Sequence, residues 1–168
     1  AGRGSRFANA GYVMPKPLIE IYGHPMIEYV VKNIRPRQET RFIFICLQEH
    51  LDRYNLESRL EQIAPGCAVV LVDQVTEGAA CTVLLAEPYI DNDQPMMIAN
   101  SDQYVDIDIN EYLQAMGELD GLIMTMKAHD PKWSFIQYGE DGLVTQLREK
   151  EVISDEATVG IYNYKKGS

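Results

Sequence analysis

Apolar positions in this chain recur at two different periods, and the period switches several times along its length. In HPMIEYVVKNI the apolar residues Met26, Ile27, Val30, Val31 and Ile34 fall on one helical face. RFIFICL is a short apolar run rich in β-formers, and HLDRYNLESRLEQI returns to helical spacing through Leu51, Tyr54, Leu60 and Ile63. A strand at CAVVLVD, a helix near AACTVLLAE, a strand at PMMIANS and a helix at INEYLQAM follow. Both helical stripes read as core. This alternation predicts an α/β fold with a mainly parallel sheet. From GLIMTMKA onward the pattern changes to SFIQYG, LVTQLRE and ATVGIYNY, strand-like pieces separated by turn residues such as Gly139 and Asp141-Gly142. The last third is therefore expected to be a β-rich part of the same domain. No internal repeat and no low-complexity linker interrupts it.

A chain of 168 residues with 46% hydrophobic residues suits one domain with a real core. No apolar run approaches the roughly 20 residues that span a bilayer, and no signal-peptide pattern is present, so a cytoplasmic protein without a membrane partner is expected. Cys46, Cys67 and Cys81 sit in apolar segments without a CxxC pair, which predicts buried thiols rather than disulfides or metal ligands. The net charge of −10 argues against a nucleic-acid surface, which needs a basic field. Residues 1–19 nevertheless carry Arg3, Arg6 and Lys16 and no acid, which is +3 and leaves −13 for the rest against the whole-chain −10. A locally basic segment in an acidic chain fits a small, highly anionic ligand.

That basic segment begins AGRGSRF. Glycines expose backbone N–H groups to a ligand, and arginine offers a planar fork for phosphate oxygens. The same residues also suit a disordered basic end. Known phosphate signatures do not fit: GxGxxG fails at Phe7, GxxxxGK[ST] is absent, and G-x-S-x-G fails because Ser5 directly follows Gly4. DIDIN places Asp106, Asp108 and Asn110 in calcium-loop step, but Glu111 and Gly117 stand where that loop needs glycine and glutamate, so it reads as a connection into a helix. A phosphate-binding glycine loop normally follows a strand. Here it starts at residue 2, so a first strand is expected to be missing from the chain, and further sheet or a closing helix is expected past YKKGS.

Three ordered motifs, AGRGSRF, PKP at Pro15, Lys16 and Pro17, and G-x-P-M-I at Gly23, Pro25, Met26 and Ile27, fall within 27 residues. Together they resemble the sugar-phosphate nucleotidyltransferases, with their GxGxR[LFM] loop, PKP and G-x-P-[ML]-I. Downstream, TEGAACTVLLA looks like the family's base-recognition loop and following helix. MMIANSDQYV looks like the strand end presenting a metal-binding aspartate, at Asp102. REK followed by SDEATVGIYNY looks like the acceptor-binding Glu-Lys pair and the strand behind it. The likeness covers essentially the whole chain. It is nearest the branch associated with capsule and surface-polysaccharide synthesis, including phosphocholine-type cytidylyltransferases.

The resemblance implies a nucleotide-diphospho-sugar transferase (GT-A-like) fold, a Rossmann-like mixed sheet flanked by helices with a β-rich C-terminal third. It also implies attack by an acceptor phosphate oxygen on the α-phosphorus of a nucleoside triphosphate, CTP or UTP favoured, with release of pyrophosphate. In that scheme Arg6 and Lys16 are catalytic, and Ala1, Gly2, Gly4, Ser5, Glu77, Gly78 and Ala79 bind the nucleotide. Trp133, Ser134, Glu149 and Lys150 bind the phosphorylated small-molecule acceptor, and Asp102 binds Mg²⁺. The bland readings stand beside these: Asp102 as a turn cap, Lys16 as a solvated loop lysine, Trp133 packed under a loop. Glu149 and Lys150, if on a regular strand, point to opposite faces. The family's usual second metal-binding carboxylate is not identifiable before Ser168. The rival enzyme reading is a glycosyltransferase using Asp106-Ile-Asp108 as a D-x-D metal site; the non-enzymatic one is a nucleotide-binding module.

Overall fold

The computed structural model describes residues 14–168. Pro15 and Pro17 fix the backbone of a short 3₁₀ turn, Lys16–Leu18, whose Leu18 is buried. A hairpin of two-residue strands follows, β1 (Glu20–Ile21) and β2 (His24–Pro25). Its turn takes Tyr22 and Gly23 through φ of 49° and 82°, the left-handed pair that suits a tight hairpin. Helix α1 (Met26–Ile34) starts at once and buries Ile27, Val30, Val31 and Ile34, the face its spacing predicts.

Strands β3 (Ile43–Leu47) and β4 (Ala68–Val72) pair in parallel, with Ile43 opposite Ala68 and Leu47 opposite Val72. The crossover between them holds α2 (Gln48–Tyr54) and α3 (Leu56–Ile63). After β4 come α4 (Ala79–Leu84), α5 (Glu87–Ile90), β5 (Met96–Ala99) and α6 (Ile109–Ala115). Then β6 (Gly121–Lys127), β7 (Ser134–Tyr138), β8 (Val144–Glu149) and β9 (Glu156–Tyr164) build a five-stranded sheet with β5. β9 is its spine: it pairs antiparallel with β6 along most of its length, with β5 through residues 161–164, and with β7 at Ala157.

Two apolar clusters meet at α1. Val30 and Ile34 pack with Ile109, Tyr112, Met124, Val159 and Ile161, while Ile27 and Val31 pack with Leu18, Leu56, Leu60 and Ala64. One nine-residue helix thus joins the core under β9 to the core under β3 and β4.

Particular expectations need correction. The sheets are mixed, as the resemblance implies, and not mainly parallel as the alternation alone predicts: β3–β4 is parallel, but every pairing of the five-stranded sheet is antiparallel, because β5 takes β9 from the far end of the chain as its neighbour. The helical stripe from Leu51 to Ile63 is broken at Asn55, whose φ of 49° ends α2 and starts α3. The break turns Leu56, absent from the predicted stripe, into a buried residue. The three thiols are free as expected, but Cys81 is exposed and the other two are only partly buried. Burial pushes the Cys46 thiol up to about 11. No helix among the described residues is long and apolar enough to cross a membrane.

Candidate active site

The proline-stiffened turn and the end of β5 bring a cation and a carboxylate together. Lys16 Nζ lies 2.7 Å from Asp102 Oδ2, each side chain about 30% exposed. Strand β5 stops at Ala99, and the segment from Asn100 leaves its end as a turn, so Asp102 sits where an open α/β sheet collects ligands. The first residue of that segment is tied down: the Asn100 N–H donates to the Gly160 carbonyl at 3.0 Å. Gly160 has φ +75°, and a Cβ there would lie 1.9 Å from Asn100 Nδ2 and 2.7 Å from Gln103 Oε1. The β6–β9 register shifts between Ile123 and Thr125, opposite this glycine. Such a bulge bends the strand beside the site, and the missing side chain makes room for the Asn100 Nδ2 to Gln103 Oε1 hydrogen bond that closes the Asp102 turn.

A cavity of about 1050 Å³ opens between the facing edges of β3 and β5. Its lining includes Lys16, Asp102, Ala79, Thr82 and His50. Ala79 begins α4, and the loop before it is held by hydroxyls: Thr82 Oγ1 and Thr76 Oγ1 lie 3.0 and 3.2 Å from the Gly78 carbonyl and within hydrogen-bonding reach of each other, so one hydroxyl donates to the carbonyl while the other donates to that hydroxyl. Gly78 is extended, with φ −168°. Ala79 therefore shares the cavity with Lys16 and Asp102, whereas Glu77 and Gly78 directly precede it without lining the cavity. Ala1, Gly2, Gly4, Ser5 and Arg6 lie outside the described residues.

The four acceptor candidates form a second group. Ser134 is paired in register with Glu149 across β7 and β8, and the Lys150 N–H donates to the Trp133 carbonyl at 3.0 Å. Glu149 and Lys150 do not point apart as a regular strand predicts. β8 ends at Glu149, Lys150 adopts φ 57°, and its Nζ meets Glu149 Oε1 at 2.7 Å. The left-handed turn folds the two side chains to one side, and the Lys150 ammonium holds the Glu149 carboxyl below its ordinary value. Trp133 is half-buried, with Lys132 Nζ 5.2 Å from its ring centroid. Both groups border β9, where Ala157 pairs with Phe135 and Gly160 lies against Asn100, three residues or about 10 Å along the strand.

Among the described residues no three His, Cys, Asp or Glu side chains cluster as ligands. Mg²⁺ needs no such cluster, since one or two carboxylates together with substrate phosphates and water complete its shell. Asp102, partly exposed at the end of β5, fits that pattern. The D-x-D alternative fits less well. Asp108 Oδ1 caps α6 by accepting the Asn110 N–H at 2.8 Å, and Oδ2 takes the Arg37 guanidinium at 3.1 Å. These bonds hold the Asp108 carboxyl below its ordinary value, first through Asn110, and commit both oxygens to the helix start.

Gly160, Asn100, Gln103, Thr82 and His50 are absent from the sequence reading. Gly160 had a signal, since a lone glycine within a strand pattern marks a bulge or a close approach. The amides and His50 carried none, because their roles depend on which distant backbone lies beside them.

A strand end bordered by Gly160, a lysine-bearing turn and a cavity lined by both lie at the edge of a mixed sheet, and the chain belongs to the nucleotidyl transferase family, whose model matches all 168 residues. Among curated relatives, the bifunctional protein GlmU of Methanococcus maripaludis strain C5 is 25% identical over 169 residues, covering 96% of this chain and 38% of the relative. The chain thus spans well under half the length of that relative. Among solved structures, the nucleoside-diphosphate-sugar pyrophosphorylase from Vibrio cholerae RC9 superposes with a TM-score of 0.78 at 26% identity, over 99% of this chain and 71% of the other. The inositol-1-phosphate CTP transferase from T. maritima shares the fold, with a TM-score of 0.78 at 17% identity over 98% and 67% of the two chains.

Proposed function

We propose that this site joins a nucleoside triphosphate to a phosphorylated small molecule, a sugar 1-phosphate or phospho-alcohol, and releases pyrophosphate. An acceptor phosphate oxygen attacks the α-phosphorus, the new P–O bond forms, and the bond to the β-phosphate oxygen breaks. Two anions must meet, so the protein's work is charge neutralisation and alignment. The observation that carries the reading is the Lys16–Asp102 pair at 2.7 Å on the cavity wall that also holds Ala79.

Lys16 exchanges its contact with Asp102 for the α-phosphate and the incoming phosphate, where a compact ammonium can follow the moving charge. Asp102 would hold Mg²⁺, which would supply Lewis-acid charge compensation to the substrate. Arg6 neutralises the departing phosphates, and the backbone of Ala1, Gly2, Gly4 and Ser5 wraps the triphosphate. Glu77, Gly78 and Ala79 receive the base, with CTP or UTP favoured. Ser134, Glu149 and Lys150 orient the acceptor. The Lys132 ammonium beside the Trp133 ring favours a neutral sugar over a cationic head group. Surface polysaccharide or lipid decoration is the setting this chemistry suits, in the cytoplasm where nucleoside triphosphates are made.

The test is pyrophosphate release with Mg²⁺, each common nucleoside triphosphate, and a panel of sugar 1-phosphates and phospho-alcohols. Release that requires one nucleotide and one acceptor together is the expected result. Lys16→Ala should still gain melting temperature from nucleotide while turnover falls about 10²–10³-fold. Undiminished turnover removes Lys16 from the mechanism, and silence across the panel with nucleotide still bound leaves a binding module.

A further inference from the structure

The G-x-P-M-I motif has no chemical task in the scheme above, yet the helix it opens touches both halves of the site. At its start, the Met26 N–H donates to the Ile19 carbonyl at 2.9 Å, one residue past the turn that carries Lys16. Near its end, half-buried Asn33 makes two bonds to one residue: its Oδ1 accepts the Val105 N–H at 2.9 Å and its Nδ2 donates to the Val105 carbonyl at 2.8 Å. The side-chain amide thus pairs with the backbone as a neighbouring strand would, three residues after Asp102. Beyond the helix, the Arg37 N–H donates to Asn110 Oδ1 at 2.8 Å, and its guanidinium holds Asp108. The segment from Asn100 to Val105 is therefore fastened at one end to Gly160 and at the other to Asn33.

We infer that Asn33 is a positioning residue for Asp102, and that α1 is the strut that sets the distance between Asp102 and Lys16. The proposal rests on the nucleotidyl-transfer reading for its consequence, but the clamp itself has a readout that does not. Packing alone does not place the segment: Val105 rests half-buried against the core under β9, and between Ala99 and Ile109 no residue is fully buried. Directional bonds have to supply what burial does not, and an amide offering one donor and one acceptor at fixed spacing is the group that satisfies both backbone groups of one residue.

The experiment compares the full chain with Asn33→Ala and with Leu60→Val, a core trim in the apolar cluster that does not hold Val105. Two quantities are read well below the melting temperature: amide exchange at residues 101–105, and the apparent affinity for Mn²⁺ in the presence of the favoured nucleotide, followed by paramagnetic broadening of the same amides. Asn33→Ala should speed exchange at Val105 and its neighbours at least tenfold and weaken Mn²⁺ at least tenfold, with nucleotide affinity changed less than threefold. Leu60→Val should change neither. Equal effects in the two variants, or unchanged exchange in Asn33→Ala, overturn the positioning role. Broadening absent in the parent chain, with the exchange difference intact, removes Asp102 as the cation site and leaves the clamp standing.

Discussion

Gly160 is the residue on which the most geometry converges. Its φ of +75° already lies where L side chains are strained, and the Cβ it lacks would fall inside the Asn100 and Gln103 amides. Gly160→Ala is expected to cost on the order of 2–4 kcal/mol, the left-handed penalty and an overpacked contact acting together. Because the clash is with the turn that carries Asp102, pyrophosphate release should fall more than stability alone explains. A urea titration alongside turnover at 10 °C below the new melting temperature checks this, and turnover retained in the folded fraction would count against the steric link. Lys150 shows the opposite use of the same backbone region. There a side chain sits at φ 57° and is folded back onto Glu149, beside Trp133.

Among the elements, the paired helices after β3 illustrate how a single residue divides a periodic stripe. Asn55 accepts the left-handed conformation that ends α2, and the next residue, Leu56, is buried against Leu60 and Ala64. Asparagine tolerates this conformation better than other non-glycine residues. Asn55→Ala is expected to lower stability by about 1 kcal/mol, whereas Asn55→Gly should be neutral within about 0.5 kcal/mol. The denaturation midpoints of the two variants decide it: equal losses would show that the asparagine side chain matters rather than its backbone. β9 works differently, since its role comes from pairing with β5, β6 and β7 at once.

For the whole molecule, the acid side of the stability profile has an identifiable first component. His50 lines the cavity, and burial lowers its pKa from 6.5, partly opposed by Glu49 at 3.6 Å. The unfolded chain then takes up the proton at higher pH than the folded one, so this contribution is complete above pH 6.5 and is lost as pH falls through the folded value. Glu28 and Asp108, both held below their ordinary values, act in the same direction at lower pH. The melting temperature is expected to be flat from pH 8 to 7 and to begin falling below about 6.5. His50→Gln should flatten the upper part of that fall and leave the lower part unchanged. An identical profile in the variant would show that His50 titrates alike in both states.

Strands β3, β4, β5, β7, β8 and β9, the helix α1, the switch to β structure from Gly121 and the three N-terminal motifs were legible along the chain, because each is a local pattern of apolar spacing or of residues a few positions apart, whereas the two-residue strands β1 and β2 are too short to leave such a pattern. The same holds for Lys16, Asp102, Ala79 and the Glu149–Lys150 pair as candidates, since residue type and neighbours mark them. The tertiary structure alone decided that β5 pairs with β9 and not within a parallel sheet, that Lys16 meets Asp102, and that Glu149 and Lys150 share a side. It alone gave Asn33 and Gly160 their partners, 72 and 60 residues away from them at Val105 and Asn100. Local propensity constrains a residue and its near neighbours. Which distant backbone arrives beside an amide or a missing Cβ is settled by how the two apolar clusters close around α1.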